Sequence, residues 1–332
     1  MHVYQHYKHR IISMDLKSKE YIDKIKSLAK EKNAVIFAHY YTRPEIQECA
    51  DFIGDSLALA QQATRVSADI LVMCGVHFMG ETMKILCPDK KVLVPDMNAG
   101  CSLADSCKAE DLKQFIIHNS QLTNDKYIVV SYVNTSADVK ALTDVVVTSS
   151  NAKKIVDQLP ADAKIIFGPD HNLGSYINSV TGRNMLLWNG ACHVHSRFSL
   201  EALLQLKADN PGVEVLAHPE CKAPILAQSD VIGSTKALLE HTIQSPAKRF
   251  IIATESGILF EMQRACPDKE FIPVPPEVTE GVGCSCNECE YMRMNTLDKL
   301  YACLVNEAPE MHVPKETAEK AVSSIQRMLA MS

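Results

Sequence analysis

The sequence predicts an α/β protein made of three tandem, pseudo-symmetric αβα units, each with a short, mostly parallel sheet, around a central active site. Two observations predict this fold. Short, continuous apolar runs alternate with stretches of helical pattern along the chain, and such alternation is typical of α/β architecture. In addition, one ordered set of polar residues recurs three times at nearly constant spacing, which indicates a tandem repeat.

The strand-like runs are rich in β-branched residues and do not alternate with polar residues. Such runs are typical of strands whose two faces are both buried, as in parallel sheets. They follow one another as AVIFAHY (34–40), DILVMCGV (69–76), KVLVPD (91–96), YIVVSYV (127–133), VVVTS (145–149), KIIFGPD (164–170), MLLWNG (185–190), VEVLAHP (213–219), RFIIATES (249–256) and EFIPV (270–274).

Helical patterns fill most of the intervals between these runs. Several begin with Ser, Thr, Asp or Pro, which are favourable at the start of a helix. The predicted helical stretches are PEIQECADFIGDSLALAQQATRV (44–66), AEDLKQFIIHNS (109–120), SADVKALTD (136–144), NAKKIVDQL (151–159), SLEALLQLKAD (199–209) and STKALLEHTIQS (234–245).

Four sets of equivalent positions define the repeat. A polar residue at the end of a first strand recurs 93 and 86 residues apart, as His39, Tyr132 and His218. A hydroxyl at a helix start recurs 93 and 85 residues apart, as Ser56, Ser149 and Ser234. The segments MCGVHFM, FGPDHNLG and ATESGIL come next, and then a cysteine 91 and 97 residues apart, as Cys101, Cys192 and Cys289. Because the order is kept, chance is the weaker explanation, and units of about 90 residues follow.

The repeat gives the domain boundaries that we expect. The first αβα unit, with an N-terminal helix, covers 1–110, and the second covers 111–198. The third unit covers 199–296, and a C-terminal helical segment covers 297–332. A chain of 332 residues exceeds the usual size of a single core, which also favours several domains.

Composition and charge exclude several classes of protein. With 46 % hydrophobic and 22 % charged residues, the chain has the balance of a globular protein. A net charge of −6 without a long basic run argues against a nucleic-acid partner. No apolar run approaches the roughly 20 residues of a membrane span. The N-terminal MHVYQHYKHRIISMD lacks the apolar core of a signal peptide, so we expect a cytoplasmic protein.

Twelve cysteines are a high number for such a chain. Without a secretion signal, they indicate metal binding, catalysis or buried thiols rather than disulfides. Most should be buried and inert, among them Cys49, Cys74, Cys87 and Cys303. The densest cluster, GCSCNECEYM (283–292), lacks the second local pair of a zinc site, and it lies in a loop rather than at the strand-to-helix junction of a thioredoxin-type dithiol.

The repeat suggests a shared site for the three units. Ligands of open α/β sheets bind beyond the carboxyl ends of the strands. If the units face a common centre, one cysteine from each converges there, and helix starts offer N–H groups to phosphate or carboxylate. Three thiolates from separate units suit a [4Fe–4S] cluster with three ligands, whose open iron can act as a Lewis acid. A zinc site is the competing interpretation.

Ordered motifs carry a resemblance to a known family: AHYYTRPEIQECADFIGDSL, GVHFMGETMKIL, PDMNAGCSLADSC, SYVNTSADVKA, VTSSNA, GPDHNLG, WNGACHVH, AHPEC, GSTKAL, ATESGI and CNECEYMRMNT. In these segments, from about Ala34 to Thr296, the chain resembles the quinolinate synthases, iron–sulfur enzymes of de novo NAD biosynthesis. The resemblance implies three similar αβα domains around one [4Fe–4S] cluster. It also implies condensation of iminoaspartate with dihydroxyacetone phosphate to quinolinate, phosphate and two waters, with the open iron as Lewis acid in dehydration.

The same resemblance implies a role for particular residues. The cluster ligands are Cys101, Cys192 and Cys289. Substrate contacts are His39, Ser56, Tyr132, Asn134, Ser149, His218, Glu220 and Thr235. Catalytic roles fall to Tyr41, His195 and Glu220, and Glu220 is the candidate general base because ring formation requires several proton shifts. Phe78 and Met79 are expected to wall the site. A functional link to L-aspartate oxidase or aspartate dehydrogenase is also expected.

Some positions fall outside the family pattern. Cys284 and Cys286 are either inert or a regulatory disulfide pair, and Cys107 and Cys221 are structural. Ser196 stands where the family usually has Glu, so Glu220 or Tyr41 must cover any proton transfer there, or the role is dispensable. Lys236 replaces a small residue after GST and could alter a phosphate pocket.

Two rival functions fit the same residues. An aconitase-like hydro-lyase would use the open iron on a different small acid. A non-catalytic iron–sulfur or zinc sensor would need the cysteines alone. Metal and sulfide content separates a zinc sensor from the others, and an assay for quinolinate separates the two enzymes.

Overall fold

A computed structural model describes residues 16–277 and 287–332. Within these residues the chain forms three four-stranded sheets in which every strand pair is parallel. Each sheet has the same order, with the first strand of the unit between the second and the third and the fourth at the edge. The strands are β1 Ala34–His39, β2 Phe52–Gly54, β3 Ile70–Cys74, β4 Lys91–Leu93, β5 Tyr127–Tyr132, β6 Val145–Val147, β7 Lys164–Gly168, β8 Leu186–Leu187, β9 Glu214–Ala217, β10 Val231–Ile232, β11 Arg249–Ala253 and β12 Glu270–Pro273.

Helices alternate with these strands, so the predicted α/β class and its three αβα units are confirmed. The inner strands are buried on both faces, as their continuous apolar sequences predict. The helices are α1 Leu16–Glu31, α2 Pro44–Cys49, α3 Ser56–Ala63, α4 His77–Leu86, α5 Ser102–Asp105, α6 Ala109–Thr123, α7 Ala137–Lys140, α8 Ala152–Gln158, α9 His171–Thr181, α10 Leu200–Asp209, α11 Ala223–Leu226, α12 Thr235–Gln244, α13 Ile258–Ala265, α14 Leu297–Asn306 and α15 Lys315–Met331.

The prediction of one continuous helix over 44–66 is wrong. Helix α2 ends at Cys49, strand β2 follows, and helix α3 begins at Ser56. Strand β2 pairs with β1, and Phe52 lies beside Phe37 in the register. A three-residue strand carries too little periodic signal to be recognised inside a helical pattern. The two-residue strand β10 is absent from the sequence prediction for the same reason.

An aspartate before each second strand fixes the same register in all three units. Its side chain accepts an N–H of the first strand at 2.8 Å: Asp51 from Ile36, Asp144 from Val129, and Asp230 from Val215. Its own N–H donates to the carbonyl of that same strand residue at 2.8 or 2.9 Å. These aspartates lie 93 and 86 residues apart, the offsets of the strand-end residues, so they belong to the repeat.

The C-terminal helices tie units together. Helix α14 packs on α1, whereas α15 packs on α4 of the first unit and on α7, β6 and α8 of the second. The inner face of α15 buries Ala321, Ile325 and Met328 in the main core. The three sheets lie within 34–93, 127–187 and 214–273, and the exact domain boundaries stay a prediction.

None of the helices within 16–277 and 287–332 combines the length and apolar character needed to cross a bilayer.

We predict that Met328→Ala lowers the free energy of unfolding by about 2–5 kcal/mol, because it leaves a cavity where α15 packs on two units. Urea unfolding followed by circular dichroism measures the change. Arg327→Ala, on the exposed side of the same helix, is the control and should change the free energy of unfolding by less than about 0.5 kcal/mol. An equal effect of the two substitutions would contradict the packing role of α15.

Candidate active site

The carboxyl ends of all three sheets open onto one cavity. Every predicted site residue lies on its wall. The first unit contributes His39, Tyr41, Ser56, Phe78, Met79 and Cys101, the second contributes Tyr132, Asn134, Ser149, Cys192 and His195, and the third contributes His218, Glu220, Thr235 and Cys289. This convergence follows from the parallel sheets, whose strands all end at one edge. The roles assigned to these residues stay predictions.

Each of the three cysteines begins a short helical turn. Its carbonyl oxygen accepts the N–H four residues on, at 2.9 Å from Asp105 and Ser196 and at 3.1 Å from Arg293. Backbone N–H groups further along each turn also bond to the sulfur and lower the pKa of the thiol: those of Ala104, His195 and Met292. The same local geometry therefore holds the three sulfurs of Cys101, Cys192 and Cys289.

These buried cysteines are better suited to binding a metal than to remaining as unbound thiolates. Burial raises the pKa of Cys101 to about 11 and that of Cys289 to about 12, and it raises the pKa of Cys192 well above the ordinary value. The three sulfurs also interact electrostatically, since Cys101 and Cys289 both raise the pKa of Cys192. A bound cation would stabilise the thiolates, and amide hydrogen bonds to sulfur are a feature of iron–sulfur ligation. The donor set fits a cluster with three cysteine ligands.

A hydrogen-bonded bridge joins the three cysteine turns. Ser102, His193 and Glu290 each follow one of the cysteines directly in the sequence. The ring of His193 binds Ser102 Oγ through Nδ1 at 2.5 Å and Glu290 Oε2 through Nε2 at 2.9 Å. One imidazole thus connects loops from all three units beside the cavity.

Two buried carboxylates hold the backbone of the cysteine loops. Asp170 Oδ2 accepts the N–H of Cys192 at 3.1 Å, and Glu255 Oε1 accepts the N–H of Cys289 at 3.0 Å. Burial raises the pKa of both carboxyl groups, for Glu255 to about 7. Sequence analysis missed both residues, although they occupy matching places in the repeated segments FGPDHNLG and ATESGIL.

Glu220 is the central acid of the cavity. Its Oε1 accepts a hydrogen bond from the Tyr132 hydroxyl at 2.5 Å, and its Oε2 lies 3.1 Å from His195 Nδ1. Burial acts to raise the pKa of Glu220, but the attraction of His195 and these hydrogen bonds outweigh it and lower the pKa. The carboxylate is therefore ionised at neutral pH and can accept a proton.

A chain of hydrogen bonds extends from Glu220 to Tyr41. His195 Nε2 lies 3.0 Å from Thr254 Oγ1, which lies 2.9 Å from the Tyr41 hydroxyl. The same hydroxyl lies 2.7 Å from Thr235 Oγ1. Burial raises the pKa of Tyr41 well above its ordinary value, so its hydroxyl keeps its proton. Sequence analysis missed Thr254, whose only signal was its place at the end of a strand in the ATESGI motif.

His39 and His218 have matching protonation states. The Nδ1 atom of His39 accepts the N–H of Tyr41 at 3.2 Å, and that of His218 accepts the N–H of Glu220 at 3.3 Å. Because Nδ1 accepts, Nε2 carries the ring proton, and in His218 it lies 3.1 Å from Ser149 Oγ. Burial lowers the pKa of both rings to about 3, so both imidazoles are neutral donors.

A second possible metal group lies within this network. Cys192, His195 and Glu220 each offer one ligand atom, and these three atoms lie within 4.8 Å of one another. His195 Nδ1 lies 3.3 Å from Cys192 Sγ. This group is compatible with metal binding, although both ring nitrogens of His195 and both oxygens of Glu220 already have partners in the chain.

The remaining predicted positions differ in outcome. Cys107 and Cys221 are buried, as expected for structural thiols. Cys284 and Cys286 lie outside the described residues. Lys236 pairs with Glu240 at 3.7 Å on the exposed side of α12, and its expected effect on a phosphate pocket stays a prediction. Ser196 Oγ donates to the carbonyl of His193 at 3.5 Å.

Comparison with known proteins gives the family of the chain. The family model described as "Quinolinate synthetase A protein" matches residues 23–330. The quinolinate synthase of Synechococcus sp. is 52 % identical over 308 residues, which cover 93 % of this chain and 94 % of the relative. That of Microcystis aeruginosa has the same identity and coverage. That of Chloroherpeton thalassium is 48 % identical over 319 residues, 96 % of this chain and 97 % of the relative.

Fold and relatives together define an α/β enzyme of three similar units, and the cavity that these units share is its candidate active site. The chain belongs to the quinolinate synthetase A family.

We predict that His39 and His218 make the metal-free protein less stable as the pH is lowered from about 7 to 5, an effect that the raised pKa values of Asp170 and Glu255 oppose. The unfolded chain takes up protons on His39 and His218 near their ordinary pKa of 6.5, whereas the folded chain resists protonation down to about 3. Each histidine should contribute a slope of about 1.4 kcal/mol per pH unit below that ordinary pKa. Urea unfolding across this pH range measures the slope.

His39→Asn isolates one of these contributions, because the asparagine oxygen can still accept the N–H of Tyr41 while nothing titrates. The slope of the free energy of unfolding against pH should be lower in this variant than in the wild type by about 1.4 kcal/mol per pH unit, whatever the other groups contribute to both. Equal slopes would show that His39 is protonated in the folded protein.

Proposed function

We propose that this protein is a quinolinate synthase that condenses iminoaspartate with dihydroxyacetone phosphate to give quinolinate, phosphate and two waters. Family membership supports the reaction. The observation that carries the proposal is the convergence of three cysteine turns and the Glu220 network on one cavity. An upstream oxidase or dehydrogenase of aspartate, with which we expect a functional link in the cytoplasm, would supply the iminoaspartate.

We propose that Cys101, Cys192 and Cys289 hold one [4Fe–4S] cluster per chain. Their common turn geometry and their amide hydrogen bonds support this assignment. When bound, a cluster with three protein ligands supplies an open iron that polarises an oxygen of the substrate as a Lewis acid.

A single ion at Cys192, His195 and Glu220 is the second candidate for the metal, since these groups lie within 4.8 Å. Such an ion would have to break the hydrogen bond between Glu220 and His195 or Tyr132. It would also leave Cys101 and Cys289 without a role in the same cavity. The cluster therefore accounts for more of the site than a single ion does.

The polar wall supports the proposed substrate contacts. The side chains of Tyr132, Asn134 and Ser149 line the cavity, and Ser56 and Thr235 are the first residues of α3 and α12. Carboxylate or phosphate groups would find donors at both places. His39 and His218 add neutral Nε2–H donors, which would bind an anion without themselves requiring a counter-charge.

The hydrogen-bonded chain supports the proposed proton transfers. Glu220 is the ionised acceptor in the cavity, and His195 and Thr254 connect it to the Tyr41 hydroxyl. Glu220 would take a proton from the substrate, and Tyr41 would return one. In this proposal Tyr41 is the acid and Glu220 is the base, so the Glu that the family usually has at the position of Ser196 is not needed.

Serine substitution tests the ligands. Cys101→Ser, Cys192→Ser and Cys289→Ser should each lose the cluster and the activity, because each removes one thiolate of three. Iron and sulfide analysis of anaerobically purified protein should fall from about four of each per chain to near zero. Cys107→Ser, a buried cysteine off the cavity wall, should keep the cluster. One zinc per chain in the wild type would contradict the cluster and favour the single-ion site.

Glu220→Gln tests the base. The amide is nearly isosteric but cannot take a proton, so kcat should fall about 100-fold or more while iron content stays at the wild-type level. Quinolinate formed from iminoaspartate and the triose phosphate is the readout. Glu261→Gln changes a buried carboxylate outside the cavity and should retain kcat. Full activity of Glu220→Gln would remove Glu220 from the mechanism.

A further inference from the structure

The cavity has no cationic side chain to match its proposed ligands. Among the described residues, its wall contains the acids Asp55, Glu220 and Glu255, but neither a lysine nor an arginine. The proposed substrates carry carboxylate and phosphate groups, and a buried anion is stabilised by a nearby positive charge. A cationic group should therefore lie close behind the wall.

Lys140 meets this requirement. Its side chain is completely buried, and within the described part of the chain no carboxylate lies within 4 Å of its ammonium group. Lysine is rarely buried without a paired acid, because the desolvated charge is unfavourable. Glu81 is the acid with the largest influence on it, but the carboxylate of Glu81 accepts the N–H of Ala137 instead.

The ammonium group holds the loop that presents Asn134. Lys140 Nζ donates to the carbonyl of Val133 at 2.9 Å and also to the carbonyl of Thr135. These two carbonyls belong to the neighbours of Asn134 on either side. The loop follows directly after Tyr132, so the contact fixes the segment that carries two proposed substrate contacts.

The charge also lies next to the cavity wall. Lys140 Nζ is 5.3 Å from the centre of the Phe78 ring, and both Phe78 and Val133 line the cavity. Burial lowers the pKa of Lys140 to about 8, so the group is still mostly protonated at neutral pH. Helix α15 covers Lys140 on the side away from the cavity, and there Ser324 Oγ donates to the backbone carbonyl of Lys140 at 3.0 Å. The positive charge is thus shielded from water on the far side.

We propose that Lys140 is a positioning residue that orients Asn134 and supplies the positive charge which stabilises an anionic group of the substrate at Tyr132 and Asn134. This inference rests on the proposed function, because that function supplies the anionic substrate. Lys140 does not touch the substrate itself. It acts through the loop that it holds and through its unscreened charge.

Lys269 is a matched control in the same chain. Its Nζ also donates to two backbone carbonyls, of Thr242 at 2.6 Å and of Ser245 at 2.7 Å, and lies 5.6 Å from the ring centre of Phe250. Neither Lys269 nor any of these three partners lines the cavity. Lys269→Met therefore removes the same kind of contacts without removing a charge at the site.

The test compares Lys140→Met, Lys140→Gln and Lys269→Met as anaerobically purified holoenzymes. Calorimetry measures the Kd of quinolinate, a dianion, and of its uncharged diamide, pyridine-2,3-dicarboxamide. We expect Lys140→Met to weaken quinolinate binding by about tenfold or more, with a much smaller change for the diamide. Lys269→Met should leave both Kd values unchanged. In turnover assays, KM should rise in Lys140→Met, and Lys140→Arg should restore most of the affinity.

Lys140→Gln keeps the test decisive if Lys140→Met does not fold. Glutamine retains two N–H donors for the carbonyls of Val133 and Thr135 but has no charge, so quinolinate binding should weaken while iron content is retained. Wild-type Kd values in both Lys140 variants, or equal losses for quinolinate and the diamide, would overturn the inference. Because binding is measured apart from turnover, a wild type that makes no quinolinate would overturn the proposed function alone.

Discussion

Parallel pairing is the constraint on which the site depends, because it places the carboxyl ends of all strands of a sheet at one edge. Three sheets with one strand order turn that edge towards one cavity. The aspartates Asp51, Asp144 and Asp230 hold each second strand to the first in the same register. A slip of one residue would turn every side chain of the strand to the other face, and His39, Tyr132 and His218 would no longer share a centre.

Chemistry arises where the three units differ within this common frame. At the end of the first strand, two units carry neutral histidines that accept a backbone N–H, whereas the second carries Tyr132, which donates to Glu220. Two units hold the N–H of their cysteine with a buried carboxylate, from Asp170 and Glu255. A threefold repeat therefore supplies the cysteines, and departures from it supply donors and acceptors of different kinds.

Much of the site was predictable because a polar residue at the end of a buried apolar strand is a strong local signal. His39, Tyr132 and His218 carry that signal, and all line the cavity. Thr254 follows a strand in the same way, but its partners Tyr41 and His195 lie in the other two units, which local pattern does not reveal. Lys140 has the sequence of an exposed helical lysine. It is buried because α15, far away in the sequence, covers it.

No unit contains the proposed proton path alone, and this limits how the units can move. Tyr41 belongs to the first unit, His195 to the second, and Thr254 and Glu220 to the third. A relative shift of about 1 Å would break contacts of 3 Å and can reduce a rate about 100-fold. Contacts that fix the units against one another, such as the His193 bridge and the packing of α15, thus preserve the chemistry without touching the substrate. The proposed proton path accordingly requires the three units to be packed against one another.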